Sequence, residues 1–241
     1  MSTIVSIGCS HTHGSMIDGK NGTSVYNKEH AYGAVVANRL GYKHINMGLP
    51  GGSNQYIQRA TVKFINNHMD PNEDYIFLIG WTSTNRIEMR YPEDKNYEHV
   101  ILGDCLDLKY VPFSMGTNPK LFHTKEMRQM IEMSPLFFDN DTMNYNWAVY
   151  AYTLEHMFKS LGLKYFMFNT CHDLPVNAMN KKIVESLDNT YYLDPTNLKH
   201  SMLYWGLDQG FEKTECWHLK EDGHRAWGDS LVYKLRELNL V

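Results

Sequence analysis

Four short apolar runs, each breaking off into a polar or glycine-rich loop, constrain this chain more than any other feature. They are Thr3–Gly8, Lys43–Met47, Tyr75–Trp81 and Lys164–Asn169. The third, Tyr-Ile-Phe-Leu-Ile-Gly-Trp, is apolar almost throughout, as a central strand covered on both faces must be. Between the runs, apolar residues recur at helical spacing. Tyr32, Val35, Val36 and Leu40 do so within residues 28–40, closed by Gly41. Ile57, Val62 and Ile65 follow a cap at Ser53 or Asn54. Ala148, Tyr152, Leu154 and Phe158 mark a helix over Asn144–Leu161, closed by Gly162. Residues 178–187 read as helical and 190–193 as weakly extended. A last helix from about Glu221 to Leu238 carries Ala226, Trp227, Leu231, Leu235 and Leu238. Strands that alternate with helices pair in parallel and carry helices on both faces. The fold class is therefore α/β: a three-layer α/β/α sandwich with a mostly parallel central sheet.

The 241 residues suit one domain, and 43% hydrophobic against 21% charged residues suffices for a packed core. Residues 91–142 break the pattern. They hold Pro92, Pro112, Pro119 and Pro135 and no sustained periodicity, so they are expected to form an irregular insertion on a single domain spanning 1–241. The net charge is −4, and no block of five basic residues exists, which excludes a strong electrostatic grip on nucleic acid. No apolar run approaches the roughly 18 residues of a membrane span, so no membrane partner is expected. The N-terminus lacks a basic start with a long apolar stretch behind it, so no signal peptide is expected. Cys9, Cys105, Cys171 and Cys216 are widely spaced. They read as reduced thiols of a cytoplasmic protein. Oligomeric state is not legible.

In a parallel sheet the site lies at the carboxyl ends of the strands. The loops after Gly8, Met47, Gly80 and Asn169 all project to that edge. Ser10 lies two residues past Gly8, where a serine is exposed as a nucleophile or simply holds a turn. Gly48, Gly51 and Gly52 follow the second strand, and Gly51 either offers a backbone N–H to an oxyanion or only turns the chain. After the third strand come Trp81, Thr82, Ser83, Thr84, Asn85 and Arg86. A hydroxyl or amide there can complete an oxyanion hole or cap a short helix. Trp81 and Arg86 are candidates to line the substrate pocket, with Arg86 binding an acidic group or making a surface ion pair. Glu215 precedes His218 by three residues, so its carboxylate can take the Nδ1 proton and leave Nε2 to accept a serine proton. A metal reading draws on His11, His13, His172, His218 and His224 with Asp173 and Cys216. No His-x-x-x-His or H-E-x-x-H pattern supports it, so no metal is expected.

Taken in order, these blocks resemble the SGNH (GDSL-like) hydrolase family. Gly8-Cys9-Ser10 stands where that family has Gly-Asp-Ser. Asn46-Met47-Gly48-Leu49-Pro50-Gly51 is similar to its Asn-x-Gly-x-x-Gly block, and Glu215-Cys216-Trp217-His218 to its Asp-x-x-His block. Gly-Cys-Ser-His-Thr and Pro-Gly-Gly-Ser-Asn also resemble SGNH-type proteins encoded by tailed bacteriophages, which would place the protein in a host cytoplasm. Thr82 replaces the Asn of the family's Gly-x-Asn-Asp block, which leaves the side-chain oxyanion donor open between Thr82 and Asn85. The resemblance implies a flavodoxin-like sandwich and a serine ester hydrolase without metal or organic cofactor. In it Ser10 is the nucleophile, His218 the base and Glu215 its orienting acid. Ser10, Gly51 and Thr82 or Asn85 hold the oxyanion. The implied partner is a small-molecule or glycan acyl ester, an O-acetyl glycan by analogy. A catalytically weakened binding module and an acyltransferase using the same residues are the alternatives.

Overall fold

The protein is described by a computed structural model covering residues 2–18, 25–90, 110–114 and 125–241. The four apolar runs become four parallel strands: β1 Thr3–Gly8, β2 Lys43–Gly48, β3 Tyr75–Trp81 and, later in the chain, β6 Lys164–Asn169. They lie side by side in the order β2-β1-β3-β6. Tyr192 pairs in parallel with Met167 of β6, which accounts for the weakly extended segment at 190–193.

Side-chain alternation sorts the sheet's residues into two layers. On one face Val5, Ile7, Phe77, Ile79 and Met167 are covered by helix α4 (Asn54–Asn67) and helix α6 (Asn140–Leu161), through Tyr56, Ile57, Phe64, Trp147, Leu154 and Phe158. On the other, Ile4, Ile76, Leu78, Phe166 and Phe168 meet helix α3 (Tyr32–Leu40), helix α8 (Met202–Asp208) and helix α9 (Glu221–Glu237), through Tyr32, Val36, Met202, Trp227 and Leu231. Burying one such large apolar side chain stabilises the fold by about 1.5–3 kcal/mol, so both helical layers are required. This is the expected three-layer sandwich.

Four elements differ from expectation. The helix read over 28–40 is two, α2 (Val25–His30) and α3, because Ala31 takes an extended conformation (φ −64°, ψ 153°) between them. The expected irregular insertion is partly regular. Arg86–Arg90 (β4) and Tyr110–Ser114 (β5) pair antiparallel, and Lys125–Phe137 (α5) is helical. The prolines concealed this order. Pro112 sits in a two-stranded ribbon, where a missing N–H is tolerated at an edge. Helix α6 starts at Asn140, four residues before the apolar pattern, because Asp139 caps it by accepting from the Thr142 N–H at 2.8 Å. The remainder of 91–142, namely 91–109 and 115–124, lies outside the described residues. Between β6 and α8 lies helix α7 (Lys181–Ser186), shorter than the 178–187 read from the sequence.

Among the described residues no helix is long and apolar enough to cross a membrane.

Candidate active site

Three strands carry glycines in register at or next to their carboxyl ends. Gly8 is in register with Gly48 of β2 and with Gly80 of β3. A Cβ on Gly8 would collide with Thr12 Oγ1 and come within 2.7 Å of the Gly80 carbonyl, and one on Gly48 would collide with the His13 backbone. The glycine row therefore makes room for a single helical turn, α1 (Ser10–His13), laid directly on the strand ends. Asn46 Nδ2 donates to the Thr12 carbonyl at 3.2 Å, the Tyr32 hydroxyl donates to Thr12 Oγ1 at 2.9 Å, and Gly14 closes the turn in the left-handed region.

This turn presents Ser10, which is 6% exposed. His218 reaches it from a loop 208 residues further on, with Nε2 2.8 Å from Ser10 Oγ. Lys213 and Leu219 pair across the base of that loop. The Thr214 N–H donates to the His218 carbonyl at 2.7 Å, and the His218 N–H donates to Thr214 Oγ1 at 3.2 Å. The His11 ring is stacked on His218, centroids 4.5 Å apart.

Burial, followed by the Arg86 cation, pushes His218 down to about 4, although the Cys216 backbone acts in the opposite sense. His11 is held well below the usual imidazole range by burial and then by His218, Arg86, His224 and His172. His224, fully buried, lies at about 3 for the same first reason, with His218 adding to it. Its Nδ1 accepts from the Tyr32 N–H at 3.3 Å. These imidazoles are neutral at pH 7. A neutral His218 within hydrogen-bond reach of a serine is a competent proton acceptor.

The structure corrects three site expectations. Glu215 is exposed and makes no hydrogen bond to His218, whose buried Nδ1 has the Cys216 backbone as a neighbour and no well-aligned hydrogen bond among the described residues. The reason is the loop's backbone: Trp217 takes φ 61°, and its N–H turns back to the Thr214 carbonyl at 3.1 Å, so Glu215 sits at the tip of a tight turn. Trp81 does not line a pocket. It continues the alternation of β3 and is fully buried in the core under α4 and α6. Asn85 is exposed, with Oδ1 accepting from Ser83 Oγ at 2.6 Å, and no contact joins it to Ser10 or His218.

Thr82 is fully buried, and its hydroxyl accepts from Arg86 Nη1 at 3.1 Å. Gly51 lies at the exposed tip of the turn after β2 with φ 78°, a conformation favouring glycine, while the next N–H, of Gly52, closes the turn onto the Leu49 carbonyl. Arg86 acts electrostatically on Cys9, His11, His172 and His218. It is the cation of this edge.

Two residues were not assigned these roles from the sequence. His11 read only as one histidine among many, although its position directly after Ser10 was a signal. Asn54 read as a possible helix cap. It instead holds Thr82 by its backbone, donating to the carbonyl at 3.0 Å and accepting from the N–H at 2.9 Å. Among the described residues no group of three or more His, Cys, Asp or Glu side chains is arranged to hold a metal ion.

Fold and site together define a three-layer α/β/α protein with a serine–histidine pair at the carboxyl edge of its sheet. The profile of a family of unknown function, DUF6071, matches residues 16–172, and the chain belongs to that family. No curated protein matches it in sequence. Among solved structures, it shares its fold with a carbohydrate esterase family 2 enzyme plus carbohydrate-binding domain from Corynascus thermopiles (Myceliophthora fergusii). The TM-score is 0.51 at 14% identity over 99% of this chain and 67% of that one. A carbohydrate acetylesterase family member from Sinorhizobium meliloti matches at TM-score 0.46 and 13% identity over 100% of both chains. A lipase/acylhydrolase from Enterococcus faecalis matches at 0.44 and 16%, over 98% of this chain and 96% of that one.

Proposed function

We propose that the protein is a serine ester hydrolase of SGNH type working with a Ser10–His218 dyad. The observation that carries this reading is the 2.8 Å approach of His218 Nε2 to Ser10 Oγ. As Ser10 Oγ attacks the acyl carbonyl, its proton passes to Nε2. The tetrahedral intermediate collapses, and the imidazolium returns that proton to the departing alkoxide. Water then attacks the acyl-serine with His218 again as base, releasing the carboxylic acid and restoring Ser10. The Ser10 N–H, in the first turn of α1, has no intrahelical acceptor. With the Gly51 N–H and the Thr82 hydroxyl it would form the oxyanion hole.

The substrate we favour is a small acyl ester, O-acetyl on a glycan. Its support is the fold shared with a carbohydrate esterase. A fluorophosphonate probe is expected to label Ser10 in the folded protein and to leave Ser10→Ala and His218→Gln unlabelled. Absence of labelling in folded wild-type protein would overturn the reading. The absence of a carboxylate at His218 Nδ1 among the described residues favours a second reading, a binding module that keeps the fold. Glycan binding without turnover across an ester panel would select it.

A further inference from the structure

Among the described residues, Arg86 is a half-buried cation that no carboxylate pairs, and the titratable groups it acts on are the buried Cys9 thiol and three imidazoles. Arg86 sits at the start of β4, and its one side-chain hydrogen bond goes to a neutral oxygen, Thr82 Oγ1. The carboxylate two positions along the same strand, Glu88, is taken. Arg59 grips it with Nε and Nη2, both at 2.9 Å. Asp173 acts on His172 from the neighbouring loop but forms no ion pair with Arg86. Among the described residues no carboxylate pairs with this guanidinium.

A guanidinium carries five N–H donors in a planar fork. One is used on Thr82, so the fork is left for an external acceptor. Behind it, toward α4 and α6, the cavity bordered by Asn54, Gln55, Asn146 and Tyr150 holds about 10 Å³, room for a single water. Thr82 Oγ1, which accepts from Arg86, lies 4.0 Å from Cys171 Sγ, and Arg86 acts electrostatically on Cys9, the residue before Ser10, as well as on His218, His11 and His172. Keeping a cation partly desolvated beside neutral imidazoles is costly unless a charge arrives to pair with it.

We propose that Arg86 forms an anion subsite of this centre, and that the ester cleaved by the Ser10–His218 pair carries a carboxylate or a phosphate in reach of its guanidinium. The proposal rests on the esterase reading and deepens it. Planar fork geometry suits either oxyanion, with two parallel N–H···O bonds. Pairing also neutralises the cation that depresses His218, so a bound anion makes the base stronger when substrate is present.

The test compares acetate release from para-acetoxybenzoate, para-acetoxyphenyl phosphate and the neutral methyl para-acetoxybenzoate. Wild-type protein is expected to favour one anionic ester over the neutral one by about 10- to 100-fold in kcat/KM, the range for a charge-assisted bidentate contact. Whichever of the two is favoured identifies carboxylate or phosphate as the natural group. Arg86→Gln is expected to collapse that preference, and Arg86→Lys to retain part of it. Equal rates on charged and neutral esters, or a preference that survives Arg86→Gln, would overturn the subsite.

A second readout does not need turnover. Ser10→Ala protein is titrated with inorganic phosphate and with acetate while the His218 ring is followed by NMR. The ring pKa is expected to rise from about 4 on anion binding and to stop responding in the Ser10→Ala/Arg86→Gln protein. No response to either anion overturns the subsite. A response without turnover of any ester overturns the esterase reading and leaves the subsite standing.

Discussion

The His11 ring lies on the His218 ring, with planes 29° apart and centroids 4.5 Å apart. One face of the proposed base is thus covered by the residue next to the proposed nucleophile, Ser10. The stack keeps water off His218, and that burial is the first cause of its low pKa. His11→Ala is expected to let water in and raise the His218 pKa toward the ordinary imidazole value. The acid limb of kcat/KM against pH would then move upward from about 4. A pH–rate series on both proteins checks it, and an unmoved limb would contradict the role of the stack.

Glu215→Gln tests the dyad directly. Removing the carboxylate of a Ser-His-Asp triad costs about 10⁴-fold in rate. An exposed Glu215 without a bond to His218 predicts instead that kcat/KM changes little. A loss of several orders of magnitude would show that the loop rearranges to bring Glu215 onto His218.

The row of strand-end glycines predicts a steric effect. Gly8→Ala places a methyl group against Thr12 Oγ1 and near the Gly80 carbonyl. Overpacking of this kind costs about 1–3 kcal/mol. A lowered urea midpoint is expected, together with loss of Ser10 labelling as α1 shifts.

Asn54→Ala leaves the buried N–H and C=O of Thr82 without partners. Each orphaned group costs about 1–3 kcal/mol, so a destabilisation of about 2–6 kcal/mol is expected from denaturant unfolding. Activity falls with it, because Thr82 receives Arg86.

Stability should also depend on acid. His13, His44 and His218 lie at about 4 and His224 at about 3, each pushed down first by burial. In the unfolded chain all four titrate near 6.5. Between those values the unfolded state binds more protons, so stability falls as pH drops from about 6.5 toward 4 and is fully present above that window. Unfolding midpoints measured at intervals from pH 7 to pH 4 would show the decline.

How much of this was legible depends on what kind of information each feature needs. The strands were legible because four dense apolar runs leave a chain few ways to cover both faces of a sheet. Parallel topology then carries the ends of β1 and β3 to one edge, and the loop before α9 brings His218 to Ser10. Trp81 and Arg86 show where that reasoning stops. Both read as pocket residues from the same short segment. Strand parity sends Trp81 into the core, and the turn of 82–85 starts a new strand at Arg86, which donates to Thr82.

The alternation of apolar runs and helical patterns determined the sandwich by itself, since hydrophobic burial along the chain is a local, countable property. Only the tertiary structure decided that His11 and His218, and not the Glu215 carboxylate, lie beside the serine. A three-residue spacing between Glu215 and His218 places no atom until backbone dihedrals are fixed, and Trp217 at φ 61° fixes them so that the carboxylate faces water.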